Sequence, residues 1–309
     1  LILLCFPMIG FGQNVNIPDA NFKAYLVGNS LINTNGDSEI QVSEANACND
    51  INCYNNNISD LTGIEYFTSL ITLDCRQNQL TSLDVSNNTS LTHLQCGYTQ
   101  LTSLNVSSNT ALIELHFGSA QITNIDLSNN TALIELTCSR NQLTSLDVSQ
   151  NTSLTLLECD SNQLTTVNVN NGVLEIFFIE YNFLECLDIS NTNLEYLYCS
   201  NNVLSQLNTK NGSWINMYVD ATVNSLTCVE VDNIGYASSN WDFDSFTTLS
   251  TNCNYTNPCN STSSIIEQNT NKKLIKNINL LGKGTIGSYN EILFNIYDDG
   301  TVEKRIVIE

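Results

Sequence analysis

The sequence predicts a mostly β solenoid of short parallel strands, closed by a helical cap at one end and followed by a small β tail. Three observations carry this. A leucine or its stand-in recurs at Leu70, Leu91, Leu112, Leu133 and Leu154, then at Leu174, Leu194 and Ile215, a period of 21 residues that shortens to 20 and returns to 21. Within one unit the apolar ladder reads Leu70, Leu73, Cys75, Leu80, Leu83 and Val85, so each coil holds two half-turns. Asn78 and Asn88 each follow an inward side chain by three residues. Self-similarity at such a period marks units that bury little alone and share a continuous core when stacked.

The pattern LxxLxCxxNxLxxLxVxxN, repeated over residues 48–225, resembles a leucine-rich repeat of the short bacterial type. The resemblance implies a solenoid that binds through its concave face. Period-two alternation in Leu73-Asp74-Cys75 independently puts one face inward and one toward solvent. Parallel strands stack about 4.8 Å apart, so eight coils span roughly 40 Å. Asn78, Asn141, Asn162, Asn182 and Asn202 recur where the chain turns, and a buried amide there can satisfy backbone groups of the neighbouring coil. Thr99 and Ala120 interrupt that ladder.

Residues 1–12 have the length and apolarity of a signal-peptide core whose basic start is missing, with cleavage expected after Gly12. Export follows as an expectation. Residues 13–47 form the predicted N-terminal cap, opening with a helix that carries Phe22, Tyr25 and Leu26 on one stripe. Next, Asn33-Thr34-Asn35-Gly36-Asp37-Ser38-Glu39-Ile40-Gln41-Val42-Ser43-Glu44 resembles an EF-hand loop. The resemblance implies calcium held by Asn33, Asn35, Asp37, Glu39, Gln41 and Glu44. Asn33 replaces the usual leading Asp and Ser38 stands where the turn wants Gly, which moves the expected affinity toward the millimolar extracellular range. The same residues also suit an Asn/Gly turn followed by a helix start at Ser43 and Glu44.

Beyond the repeats, Cys228-Val229-Glu230-Val231-Asp232 with Trp241 and Cys253 resembles the C-terminal cap of secreted Bacteroidetes proteins of this repeat type. Cys228 and Cys253 bracket this cap (226–253), and in an exported protein they are expected to form a disulfide. A polar linker (254–271) precedes residues 272–309, which alternate like two or three strands and resemble the later strands of a type IX secretion sorting signal. That resemblance implies the type IX machinery as a partner.

Net charge and motif content exclude several functions. With 31 acidic against 10 basic side chains the net charge is −21, which opposes nucleic acid and anionic lipid. No membrane span is expected beyond the leader. Cys53, Cys75, Cys96, Cys138, Cys159 and Cys199 share one inward rung and read as small hydrophobes rather than metal ligands, since each coil supplies one thiol among apolar neighbours. His93 and His116 lie on outward places of neighbouring strands, without a phosphate loop, HExxH or GxSxG, so no enzyme is expected.

The outward positions divide the concave face. Thr72, Asp74, Arg76, His93, Gln95, Glu114, His116, Glu135 and Thr137 make one half polar. Leu156, Glu158, Ile176, Phe178, Tyr196, Tyr198 and Met217 make the other apolar and aromatic with an acidic rim, and these are the candidate ligand-binding residues. Solvent-facing strand positions ordinarily carry polar residues. Either a protein or glycan partner covers this patch, or the cap or tail does. The sequence thus predicts a secreted or surface binding protein for recognition or adhesion. A structural presentation module and an accessory to a glycan-processing enzyme are the alternatives.

Overall fold

The computed structural model describes residues 12–169, 172–255 and 259, together with the strand backbones 274–279, 292–297 and 302–306. The chain divides into two units, Leu1–Ser261 and Thr262–Glu309. The expected signal segment, apart from Gly12, and most of the expected linker lie outside the described residues.

The first unit is a leucine-rich-repeat solenoid. Nine three-residue strands, from Asp50–Asn52 to Tyr218–Asp220, pair in parallel and in coil order to form the concave sheet. The central residue of each strand points inward, as alternation requires, and Leu73, Leu94, Leu115, Leu136, Leu157, Phe177, Leu197 and Val219 are all fully buried. The flanking residues of each strand face outward. On the opposite flank Ser145–Asp147 pairs with Thr166–Asn168, and Cys186–Asp188, Gln206–Asn208, Cys228–Glu230 and Thr248–Ser250 form a second parallel sheet.

Two asparagine ladders hold the turns. After most concave strands one non-glycine residue takes a left-handed conformation, among them Gln77 (φ 54°), Arg140 (φ 57°) and Asn201 (φ 56°). Such a residue costs about 1–2 kcal/mol. The next asparagine offsets that cost by hydrogen bonding across coils: Asn78 Nδ2 donates to the Cys53 and Cys75 carbonyls, and its Oδ1 accepts from the Asn56 and Ile58 N–H groups. At Thr99 the hydroxyl keeps one bond, to the Cys96 carbonyl. A second, fully buried ladder, Asn88, Asn109, Asn130 and Asn151, donates to two carbonyls of earlier turns at each step.

The last coil departs from the sequence period. Ile215, read as an inward position, is 65% exposed, whereas Met217, read as outward, is buried. Tyr196 is registered with Tyr218, so this coil is one residue longer than the period suggests. A one-residue slip exchanges the two faces of a strand; Tyr218 and Asp220 therefore face outward, and Met217 and Val219 point in.

The helix Ala20–Gly28 begins at Asp19, whose Oδ1 accepts from the Asn21 and Phe22 N–H groups and whose Oδ2 accepts from Ser59 and Asp60 in the first coil. Phe22 and Leu26 are fully buried, and the Tyr25 hydroxyl accepts from the Asn52 N–H. At the other end the helix Ile234–Asn240 leads into Trp241, whose indole N–H donates to the Met217 carbonyl at 2.6 Å. Cys228 and Cys253 form a disulfide there, with Cα atoms 5.9 Å apart. Cys186, for which the sequence indicated no partner, is bonded to Cys259.

The second unit contains three antiparallel strands, Leu274–Asn279, Ile292–Tyr297 and Val302–Ile306, with the middle strand paired to both others.

A candidate recognition face on the concave sheet

Parallel in-register pairing turns the outward residues into columns that run across the coils. One column reads Leu156, Ile176, Tyr196, Tyr218 and the next reads Glu158, Phe178, Tyr198, Asp220. The rings stack along the second column and into the first: Phe178 and Tyr198 lie face to face at 4.9 Å with planes 12° apart, and Tyr198 meets Tyr218 at 5.5 Å. Tyr196 remains 43% exposed. The cap reaches the far edge of the patch through Asp242, which accepts a 2.6 Å hydrogen bond from the Tyr218 hydroxyl. That carboxylate pushes the Tyr218 phenol well above its usual range. Glu158, Asp160, Glu180 and Asp220 form the rim. Burial, then the charges of Asp160, Asp220 and Glu158, raise the Glu180 carboxyl.

Of the seven predicted binding residues, Leu156, Glu158, Ile176, Phe178, Tyr196 and Tyr198 occupy this outward surface and Met217 does not. Sequence reasoning missed Tyr218, Asp220 and Asp242. A signal for the first two was present: Asn224 repeats the role of Asn202, donating to the Cys199 and Ala221 carbonyls, and its position fixes the longer coil.

The polar half is built on the same frame. Arg76 forms a bidentate pair with Asp74, at 3.0 and 2.7 Å, and lies over the Tyr54 ring. His93, Glu114, His116 and Glu135 gather on three adjacent strands, with His93 Nε2 3.4 Å from Glu114 Oε1 and His116 Nε2 3.9 Å from Glu114 Oε2. Beside them a groove of about 280 Å³ is floored by Gly97 and Gly118 and flanked by Arg76, Tyr98 and Arg140. Gly97 has no room for a side chain, because an added Cβ would stand 2.5 Å from the Gly118 carbonyl oxygen.

The expected calcium loop is knit together by its own hydrogen bonds. Asn33, Asn35 and Asp37 each accept from a backbone N–H two or three residues on, and Asn35, Asp37 and Gln41 bond to one another through their side chains. Glu44 accepts from the N–H groups of Thr34, Asn35 and Gln41 and from the Thr34 hydroxyl, and so caps the helix Val42–Ala47. Burial opposes ionisation of Glu44, but these donors prevail and hold its carboxyl below the usual range. The Glu39 carboxylate is paired with Lys23 at 2.7 Å, which leaves its carbonyl for any cation in such a loop.

The six stacked cysteines are buried, and burial raises the Cys53 and Cys96 thiols to about 12, which keeps those two in the protonated, weakly nucleophilic form. Phe117, Ile179 and Ala221 fill the same rung in other coils.

Fold and face define a leucine-rich-repeat solenoid with a two-part concave surface, and comparison with known proteins points the same way. No protein-family model matches the chain. Internalin J of Listeria monocytogenes serotype 4b is 33% identical over 72 residues, which are 23% of this chain and 8% of that protein. The functional domain of Listeria monocytogenes InlJ, described as including a cysteine ladder, superposes with a TM-score of 0.57 at 29% identity, covering 76% of this chain and 62% of that one. A Leptospira interrogans leucine-rich-repeat protein (TM-score 0.58, 22% identity, 68% of this chain and 57% of that one) and Listeria internalin C2 (0.54, 19%, 77% and 97%) share the fold. The chain is thus similar to internalins while spanning a small part of the curated relative. Among the described residues no helix is long and apolar enough to cross a membrane.

Proposed function

We propose that this chain is a recognition module, secreted or displayed at the cell surface, that binds a protein ligand through the aromatic half of its concave face. The observation that carries this reading is the stacked ladder Phe178–Tyr198–Tyr218 beside Leu156, Ile176 and Tyr196. Phe178 and Tyr198 turn their faces to one another and Tyr218 closes on Tyr198 at a tilt of 52°, so the rings offer a continuous apolar surface instead of separate platforms for sugar rings. Large aromatic side chains inside a polar rim are common anchors of protein interfaces. Similarity to internalin-type repeat proteins and two disulfides, which persist in oxidising compartments, support the reading. Probing the full chain against arrays of extracellular proteins and of glycans tests it. A protein ligand displaced by Phe178→Ala supports the proposal; saturable binding confined to glycans contradicts it.

Two narrower proposals accompany this one. The loop from Asn33 to Glu44 binds calcium weakly, in which case millimolar calcium raises the melting temperature of the chain and Asp37→Ala removes the rise. The segment 272–309 directs export through the type IX machinery and is removed; mass spectrometry of extracellular protein that retains Glu309 would refute removal.

A further inference from the structure

The polar half of the concave face carries a feature that recognition by the aromatic half leaves unexplained. Register pairing places Glu114 directly beside Glu135 on adjacent parallel strands, with His93 beside Glu114 on the other side and His116 two residues along the same outward face. Like charges in lateral register repel, and parallel neighbours stand only about 4.8 Å apart. Among the described residues no lysine or arginine forms an ion pair with either glutamate; the groups that approach Glu114 are the two imidazoles. All four side chains are half-buried, and their strands are pinned by the fully buried Leu94, Leu115 and Leu136.

Glu114, His116 and Glu135 offer one imidazole nitrogen and two carboxylate oxygens, all within 4.8 Å of one another. A tetrahedral ion with bonds of 2.0–2.2 Å needs ligand atoms about 3.4 Å apart. Small side-chain rotations close that difference, because the backbone positions already converge. An imidazole with two carboxylates favours a late first-row divalent ion over calcium or magnesium, which prefer all-oxygen shells. We propose that Glu114, His116 and Glu135 form a zinc-type site on the concave face, with its fourth position open toward solvent. His116 also lines the groove floored by Gly97 and Gly118, where bare backbone leaves the ion reachable by a water or by a carboxylate or imidazole of a docking partner. The site rests on the polar coils alone and does not depend on the aromatic reading.

Isothermal titration of the metal-stripped full chain with zinc chloride, in a buffer that does not chelate, tests the proposal. One equivalent should bind with a dissociation constant near micromolar, about tenfold or more weaker in both His116→Ala and Glu135→Gln and unchanged in Glu195→Gln, an exposed carboxylate elsewhere. Excess calcium should not compete, which separates this site from the loop Asn33–Glu44. Circular dichroism melting of each variant checks that it remains folded. Absence of saturable zinc binding to the native chain, or unchanged affinity in either folded variant, overturns the site.

Discussion

The coils before and after Thr137 share one core and differ in what they show to solvent. Inward residues are interchangeable across the boundary: Leu94, Leu115 and Leu136 on one side and Leu157, Phe177 and Leu197 on the other are all fully buried. Outward pairs change from His93/Gln95 and Glu114/His116 to Ile176/Phe178 and Tyr196/Tyr198 on an unchanged backbone register. The flank behind them differs as well, with strands described from Ser145 onward and, earlier, turns held by Asn88, Asn109 and Asn130. The lesson is that stacking fixes the inner positions and leaves the outer ones free, so the same solenoid carries a polar, metal-competent surface and an aromatic one side by side.

If one core runs through both halves, Leu115→Ala and Leu157→Ala should each cost about 2–5 kcal/mol in urea denaturation. Unequal costs, with one variant near native stability, would break the premise of a shared core. Removing the cap disulfide with Cys253→Ala should cost about 3 kcal/mol. Because repeat stability is set by nearest neighbours, hydrogen exchange should then accelerate around Cys228–Glu230 more than around Glu114–His116. Asn130→Ala removes one hydrogen bond from each of the Val106 and Asn109 carbonyls, which keep their bonds from the Asn109 and Leu112 N–H groups, and loss of the two side-chain bonds should cost about 1–3 kcal/mol, felt mainly in the coils before Ser145. The smallest effect is expected at the N-terminal loop. Glu44 has a folded carboxyl below its ordinary value of 4.5, so it stabilises the native state above that pH and the contribution is lost as pH falls through the lower, folded value. Melting curves of Glu44→Gln should fall below those of the native chain at neutral pH and converge with them in acid.

The solenoid was legible because leucine spacing, the buried Asn ladder and strand alternation all agree from Leu70 to Leu194. Agreement ended at Gly212-Ser213-Trp214, where one extra residue shifted Met217 inward and brought Tyr218 out. A local period does not register such an insertion; the cross-coil hydrogen bonds of Asn224 do. The Cys186–Cys259 bond was not legible, since its partners are 73 residues apart and meet only once the chain has returned past the cap. Likewise the pairing of Lys23 with the Glu39 carboxylate was not legible, because the two meet only once the first helix is in place. His116 and Glu135 were readable as outward residues, and the 21-residue spacing of Glu114 and Glu135 implied their lateral register; that the imidazole and both carboxylates come within 4.8 Å of one another was visible only in the fold.

On the proposed function the outward rings serve binding and not folding. Paired measurement of ligand affinity and melting temperature in Tyr198→Ala tests it most directly. Tyr198 stacks on Phe178 and meets Tyr218 at the surface, so its truncation leaves no core cavity, and stability should fall by only about 1 kcal/mol from the lost ring contacts. Loss of an interface anchor should weaken binding by about tenfold or more at a near-constant melting temperature. A variant that melts substantially earlier yet binds its ligand as tightly as the native chain would contradict the claim and make the aromatic ladder part of the fold.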